Sequence, residues 1–491
     1  MSVLPILGRS PASRVLHAGT AVDPQELLAR ATHAAQLLPP GSRVAFEGGN
    51  ALTRLIHFLG ADLAGCATLL LEPAWTDGDR AAVLADARPD LVLRLDEWPG
   101  HAADEGERTI RATYRDEQAV HPIPDLRTTE QRDQAPHRSE RTVRAACSMP
   151  VGSELTHFYL PTTSGTSGAP KVLIRSRRSW LRSFAALDLP LAARDRVLVP
   201  GPLGSSLFLF GALHALHSGA EVELLDKWSA ADAADASRRA TAVHLVPAML
   251  SALLSTLEHD PVLRAECGLR TVVCGGAKVD EALEERLDKV LPGCELVEYY
   301  GSAEHSLIAV RRGGPLRPVV DVEVRDPVDG VGELWVRSEL IFDGYLRGGE
   351  IVPAATEDGW STVGDRAALH SDGSLDVLGR AGSAINTGAR IVGAEEVESV
   401  LRGAEGVFDV LVCATPHPRF GELVTAVVEI DPVAPPSLRE LRARVRGALD
   451  PAKRPRRWLA VRDLPRTASG KPARAVIAER LRAGTLRTES L

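Results

Sequence analysis

The most constraining feature of the sequence is a stretch of hydroxyl residues and glycines that lies between an apolar segment and a lysine. It reads Tyr-Leu-Pro-Thr-Thr-Ser-Gly-Thr-Ser-Gly-Ala-Pro-Lys and spans residues 159–171. Glycine lets the backbone turn through positive φ and approach a ligand closely, and successive N–H groups and hydroxyls form a concave anion site. A flexible Ser/Gly linker is the alternative, but Pro170 and Lys171 close the segment and an apolar run follows. The stretch therefore predicts a phosphate-binding loop, whose spacing differs from that of the common P-loop.

This loop resembles the signature motif of the adenylate-forming superfamily, which comprises acyl-CoA synthetases, aryl-acid AMP ligases, peptide-synthetase adenylation domains and luciferases. The resemblance implies that the loop binds the phosphates of ATP. Its predicted ATP-binding residues are Thr163, Ser164, Gly165, Thr166, Ser167, Gly168 and Lys171. Thr163 is also a predicted ligand of Mg²⁺.

Bulk properties narrow the range of partners. The net charge of −8 provides no basic surface for nucleic acid. No run approaches ~18 apolar residues, so no membrane span is expected. The chain starts with no basic segment ahead of an apolar stretch, so no signal peptide is predicted and a cytoplasmic location is expected. The six cysteines show no CxxC spacing and are interpreted as reduced thiols, without a disulfide or metal role.

The length of 491 residues exceeds what one hydrophobic core organises, so more than one domain is expected. Strand-like and helical patterns alternate over the first hundred residues, which favours an α/β fold with largely parallel sheets. Residues 99–150 are polar and aperiodic, and predict an irregular connection. With the resemblance, the fold expected is a large luciferase-like N-terminal domain of α/β sheets, residues 1–380, a hinge at 381–382, and a small mobile α+β domain, residues 383–491.

A second motif, Tyr-Tyr-Gly-Ser-Ala-Glu at residues 299–304, follows an apolar strand pattern. It is similar to the family pattern aromatic-Gly-x-Thr/Ser-Glu. The resemblance implies that Tyr300 stacks on adenine, that Gly301 and Ser302 belong to the ATP site, and that Glu304 is catalytic and holds Mg²⁺, a hard ion that prefers oxygen ligands. Ala303 departs from the pattern, because the hydroxyl expected at the α-phosphate is missing.

Two further segments match the family in order. Gly275, Gly276 and Ala277 form a turn after a core strand, where ligands bind in open α/β folds; by resemblance this turn lies against adenine and the acyl group. Asp365 resembles the carboxylate that accepts both ribose hydroxyls, and Arg380 resembles a second ribose contact.

The last hundred residues carry the remaining predictions. Gly382 stands at the position of the family's hinge residue, where glycine can absorb a large backbone change. Asn386 and Gly388 match a hairpin that by resemblance faces the thiol tunnel; the family often has lysine at Asn386. The segment ending in Ser-Gly-Lys matches the family's last motif, whose catalytic lysine, here Lys471, would bridge the carboxylate and the α-phosphate.

Lysine usage supports these assignments. The chain has six lysines, so 57 − 6 = 51 of its basic residues are arginine. Ammonium is a compact charge, whereas guanidinium is a planar fork. The presence of lysine at motif positions 171 and 471 therefore indicates that these two sites need a compact charge.

The resemblance implies an AMP-forming acid–thiol ligase that uses ATP and Mg²⁺. A small-molecule carboxylic acid, or another oxyanion, is adenylated and then transferred to CoA or to the phosphopantetheine of an acyl carrier protein. Two alternatives stay open from the sequence: a degenerate nucleotide-binding regulator, and unusual chemistry such as nitrite-dependent diazotisation of an arylamine. The regulator is favoured by Ala303, Gly382, Asn386 and the small residue Ser205, near which relatives often carry histidine or an aromatic residue. It is opposed by the intact Lys471, Glu304 and Asp365.

Overall fold

The computed structural model consists of a large N-terminal and a smaller C-terminal domain, as the sequence predicts. Its apolar clusters divide in the same way: some draw on residues between Leu4 and Val377, the others on residues from Ile385 onward. The residues described are 3–73, 75–97, 112–114, 151–163, 170–328, 330–380, 384–387, 390–417, 421–449, 451, 453–467, 470–489 and 491.

The large domain contains three β-sheets and the helices that cover them. Its strands are β1 (Val15–His17), β2 (Thr20–Val22), β3 (Arg43–Glu47), β4 (Ala67–Leu70), β5 (Leu91–Arg94), β6 (Ala112–Tyr114), β7 (His157–Tyr159), β8 (Thr162–Thr163), β9 (Lys171–Ser176), β10 (Arg196–Val199), β11 (Glu221–Leu224), β12 (Ala242–Leu245), β13 (Thr271–Gly275), β14 (Glu295–Ser302), β15 (Ser306–Arg312), β16 (Arg317–Pro318), β17 (Asp321–Val328), β18 (Val331–Arg337), β19 (Gly344–Arg347), β20 (Glu350–Val352), β21 (Asp365–Leu369) and β22 (Leu375–Arg380). Its helices are α1 (Pro24–Gln36), α2 (Ala51–Leu63), α3 (Asp77–Ala87), α4 (Arg177–Leu187), α5 (Ser206–Ser218), α6 (Ala230–Ala236), α7 (Pro247–His259), α8 (Pro261–Glu266) and α9 (Glu281–Val290).

The small domain is α+β. Its elements are β23 (Ala384–Thr387), β24 (Arg390–Gly393), α10 (Ala394–Arg402), β25 (Val407–His417), β26 (Gly421–Ile430), α11 (Leu438–Ala448), β27 (Arg457–Val461) and α12 (Arg474–Arg482). The strands lie in the order β24-β23-β26-β25, and β27 pairs with β26. The hairpin expected around Asn386 is present as the antiparallel pair β23–β24.

Two mixed sheets form the centre of the large domain. The first has the order β16-β15-β14-β13-β12-β10-β11-β1-β2, and the second β20-β19-β9-β7-β4-β3-β5-β6 with β8 paired to β9. A third sheet has the order β17-β18-β21-β22. In the first sheet, β10, β12, β13 and β14 are parallel neighbours. The segments that follow β10, β12 and β13 therefore lie side by side at one edge, with β10 about 10 Å from β13 at two strand spacings.

Local signals explain several element boundaries. Asp23 begins α1 because its carboxylate accepts hydrogen bonds from the N–H groups of Gln25 and Glu26, while Pro24 occupies the first helical turn. The irregular connection predicted for residues 99–150 is wrong at β6, which pairs antiparallel with β5; the rest of that prediction lies outside the described residues. Within the parts of the chain that the structure describes, no helix has the length and hydropathy needed to cross a lipid bilayer.

A buried ion pair joins four segments of the large domain. Arg177 begins α4, and its Nε lies 2.6 Å from Oδ1 of Asp62 at the end of α2. The other carboxylate oxygen accepts the N–H of Ile6, and Arg177 also donates to the carbonyl oxygens of Val151 and Ser153. Both side chains are almost fully buried. Arg177 therefore satisfies acceptors in α2 and in the chain entering β7, and Asp62 in turn holds the N–H of the N-terminal segment.

Asp62→Ala should lower the free energy of unfolding of the large domain by roughly 3–5 kcal/mol, because it leaves a buried guanidinium without its counter-charge. Arg14→Ala is the control: Arg14 is half-exposed where it pairs with Glu221, so its removal should cost less than about 1 kcal/mol. Urea denaturation of both variants tests the difference. Equal losses would show that burial of the Asp62 pair adds nothing.

Candidate active site

The turn after β13 is one of the places where the two domains meet. Gly276 has a φ of +86°, which favours glycine. A Cβ on this residue would overlap Cε of Lys471 and lie 2.9 Å from its Nζ. Gly470 is close to the same edge, because a Cβ there would be 3.6 Å from both Val246, after β12, and Met249 in α7. The structure thus brings Lys471 of the small domain onto the turn of Gly275, Gly276 and Ala277.

The segment that carries Lys471 is anchored to the small-domain sheet by Arg466. The N–H of Thr467 donates to the carbonyl of Lys471 at 2.7 Å, and the N–H of Gly470 donates back to Thr467 at 2.9 Å. Arg466 donates to the carbonyl of Gly470 at 3.0 Å and to the carboxylates of Asp409 and Glu429. The position of Lys471 is therefore set by a closed turn tied to β25 and β26.

A second group of predicted residues converges at the beginning of β9. Thr163 in β8 is the Cα partner of Lys171, and Nζ of Lys171 lies 5.6 Å from the centre of the Tyr345 ring. The hydroxyl of Tyr345 donates to Oε1 of Glu304 at 2.9 Å, and Glu304 is buried. The end of the phosphate loop and the predicted metal carboxylate are thus connected through one tyrosine.

Arg175 holds this arrangement together, a role that the sequence did not predict. The Arg-Ser-Arg-Arg segment suggests phosphate-binding arginines or a solvated helix start, but Arg175 lies inside β9 and is buried. Its guanidinium donates to the carbonyl oxygens of Ala303, Glu304 and Leu340 at 2.6–3.0 Å. Burial lowers its pKa to about 10 although Asp343 and Glu304 oppose the shift, so it stays charged at neutral pH. The only sequence signal is a charged residue inside an apolar strand.

The predicted adenosine residues also lie together. The hydroxyl of Tyr300, in β14, donates to Oδ2 of Asp365, which begins β21 and is buried. Arg380, at the end of β22, is the Cα partner of Asp365. Gly301 lies where the β14–β15 register shifts, and the hydroxyl of Ser302 accepts the N–H of His305 at 3.0 Å. The ring of Tyr300 and the carboxylate of Asp365 therefore lie next to each other near the carboxyl end of β14.

Some predicted residues cannot be placed in this way. The described residues do not include Gly382 of the hinge or Gly388 of the thiol hairpin. They also leave out most of the loop, namely Ser164, Gly165, Thr166, Ser167 and Gly168. For Asn386 the backbone is described, and it pairs with Ile391 across the β23–β24 hairpin. Ser205 is the buried residue that precedes α5.

The donor set fits Mg²⁺. Glu304 offers a buried carboxylate held by Tyr345, and Thr163 offers a hydroxyl at the neighbouring strand. Both are hard oxygen donors of the kind that Mg²⁺ prefers, few enough to leave positions for phosphate oxygens and water. Lys171 adds positive charge beside them.

Gly276→Ala should displace the side chain of Lys471, because the added Cβ overlaps Cε. Labelling of Lys471 with an amine reagent, followed by peptide mass spectrometry, should increase several-fold. Gly293→Ala is a matched control: its φ is +79°, and no described atom lies within 4 Å of its Cβ position. If the two variants label Lys471 equally, backbone strain and not the contact is responsible.

Comparisons with known proteins agree with this geometry. A family model described as AMP-binding enzyme matches residues 9–346, and one described as AMP-binding enzyme C-terminal domain matches residues 396–471. The uncharacterized acyl–CoA ligase YhfT of Bacillus subtilis is 28% identical over 457 residues, 88% of this chain and 87% of that protein. The 2-succinylbenzoate–CoA ligase of Bacillus velezensis is 27% identical over 470 residues, 91% and 90% of the two chains.

A solved structure shows the same fold. ATP-bound MatB from Rhodopseudomonas palustris superposes with a TM-score of 0.76 over 97% of both chains, at 21% sequence identity. The first family model alone covers well over half of the chain, and the second falls on the small domain that carries Lys471. The chain therefore belongs to the family of AMP-binding enzymes, within the adenylate-forming superfamily.

Proposed function

We propose that this enzyme activates a small carboxylic acid as its acyl-adenylate at the cleft between the two domains and passes the acyl group to the thiol of CoA. ATP-dependent adenylation followed by transfer to a thiol is the activity of this ligase class, and CoA ligases are among its relatives. The observation that carries the assignment of residues is the contact of Lys471 with the Gly276 turn. It brings a small-domain charge to the edge of the large-domain sheet where a ligand binds.

In the first step, a carboxylate oxygen attacks the α-phosphate of ATP and pyrophosphate leaves. Two anions must approach each other, so the reaction depends on positioning and on positive charge at the transferring group. Lys471 supplies that charge from one side and Lys171 from the other, at the end of the phosphate loop. Asp365 and Tyr300 hold the ribose and adenine, with Arg380 as a second ribose contact.

Mg²⁺ is the metal that the oxygen donors suit, and Glu304 with Thr163 would hold it. When bound, it neutralises charge on the departing phosphates. Tyr345 fixes the Glu304 carboxylate by its 2.9 Å hydrogen bond. Arg175 fixes the backbone of the same segment, so the carboxylate is oriented from both ends.

In the second step, a thiol displaces AMP. We propose that the small domain, residues 383–491, rotates about Gly382 and brings the hairpin of Asn386 and Gly388 to the acyl-adenylate in place of Lys471. CoA is the simplest acceptor, and the pantetheine of an acyl carrier protein is the second candidate. The relatives named above are CoA ligases and give no support to a regulator or to diazotisation.

Lys471→Ala should reduce ATP–pyrophosphate exchange by roughly 10²–10³-fold, the usual loss for one preorganised charge donor. Thioester formation from supplied acyl-adenylate should be spared, because Lys471 leaves the cleft in that step. Lys471→Arg should recover little, since a planar fork does not replace a point charge between two oxyanions. Full exchange activity in Lys471→Ala would remove the proposed role.

A reversible disulfide between the two domains tests the rotation. A Cβ on Gly403, after α10, would lie 3.3 Å from Cβ of Ala282 in α9, close to the ~3.5–4.5 Å range of disulfides. The double variant Ala282→Cys with Gly403→Cys should, when oxidised, keep pyrophosphate exchange but lose thioester formation, and reductant should restore it. Each single variant is the control. Undiminished thioester formation by the cross-linked protein would refute the rotation.

A further inference from the structure

Glu72 carries a buried carboxylate that the proposed mechanism does not use. Glu72 lies two residues after the end of β4 and is 7% exposed. Its Oε1 is shielded from solvent and accepts no hydrogen bond from any described residue. Buried polar atoms in folded proteins are nearly always paired, so an unpaired carboxylate oxygen calls for a partner that the free chain does not supply.

Gly204 makes room for this carboxylate. A side chain at residue 204 would overlap Oε1 of Glu72, and its Cβ would lie 3.2 Å from Cγ. The segment around Gly204 is fixed by Tyr159, whose hydroxyl donates to the carbonyl of Gly204 at 3.3 Å and lies 3.2 Å from Oγ of Ser206. Because residue 204 is glycine, the carboxylate of Glu72 packs against the backbone of this residue and occupies the space that a larger side chain would fill.

Arg54 is the nearest described cation that affects Glu72, but it is engaged elsewhere. Its guanidinium donates to the carbonyl oxygens of Gly48 at 2.9 Å and of Leu71 at 3.0 Å. Burial raises the pKa of Glu72 to about 6, and the charge of Arg54 opposes the rise. An ionised carboxylate only accepts hydrogen bonds, and the guanidinium of Arg54 donates to backbone carbonyls instead. The missing partner is therefore a donor, and a cationic donor gives the stronger bond.

The position of Glu72 relative to the reacting centre follows from the sheet. Gly204 belongs to the segment after β10, and the Gly276 turn that contacts Lys471 follows β13, with β12 between them. Two strand spacings separate these segments, about 10 Å. An acid whose carboxyl group meets Lys471 can therefore extend its tail along this edge toward Glu72.

We propose that Glu72 is a specificity-determining residue of the acid pocket and that it selects acids whose tail ends in a protonated amine. This inference rests on the proposed function. An ammonium group supplies both the charge and the donor that Oε1 lacks. An alkyl tail leaves the carboxylate unpaired, and a second carboxylate on the substrate is repelled, so both are disfavoured.

The test is ATP–pyrophosphate exchange by the full chain with tail-matched acids: 6-aminohexanoate, hexanoate and hexanedioate, and the corresponding 8-carbon set. The wild type should prefer the amino acid over its alkyl partner by about 10²-fold or more in kcat/KM, because a buried polar site rejects an analogue that lacks its partner. Glu72→Gln keeps the shape and should reduce this preference to within about tenfold. Its melting temperature and ATP affinity should match those of the wild type.

Glu223→Gln is the matched control. Glu223 is as buried as Glu72, but Arg196 and Arg239 pair with its oxygens, so its loss should leave the preference unchanged. A wild type that prefers alkyl tails, or a preference that survives Glu72→Gln, overturns the inference while exchange activity itself upholds the proposed function. The wild-type ratio decides even if Glu72→Gln does not fold. No exchange with any acid would reject the proposed function and this inference with it.

Discussion

The buried guanidinium of Arg175 is the interaction on which the candidate site depends. It lies in the strand that leaves the phosphate loop and donates to carbonyl oxygens of the segment that carries Glu304. Carbonyl acceptors are backbone groups, so the hydrogen bonds fix the path of the chain and not one side chain. Because the second sheet contributes Arg175 and the first contributes Glu304, this residue, together with Tyr345, ties the two predicted phosphate-binding motifs to each other.

The elements that sequence reasoning recovered are those governed by local patterns. The core strand expected before Gly275 is present as β13, and the strand–helix alternation expected over the first hundred residues is present as α1, α2 and α3 with the parallel strands β3, β4 and β5. A run of charged residues is usually solvated, but buried acceptors from distant segments compensate Arg175 and Arg177. No local pattern in the sequence signals those acceptors. The pairing of Tyr345 with Glu304 and the approach of Lys471 to Gly276 are tertiary contacts, for which one sequence contains no local signal.

Ion pairs inside the small domain hold the segment that carries Lys471. Arg466 lies between Asp409 and Glu429, and Arg402 pairs with Asp409 and Glu398. Burial raises the pKa of Glu429 to about 7, and Arg466 opposes that rise. These charges are compensated within the small domain, and Arg466 ties the segment that carries Lys471 to the sheet of that domain.

The contact of Lys471 with Gly276 bears on which amino-acid substitutions the two domains can accept independently. On the large-domain side the contact surface is a bare peptide backbone; on the other side it is a methylene and an ammonium group. Neither depends on the identity of a variable side chain. Substitutions in the acid pocket that leave the backbone of Gly276 in place therefore need no matching change in the segment that delivers the lysine.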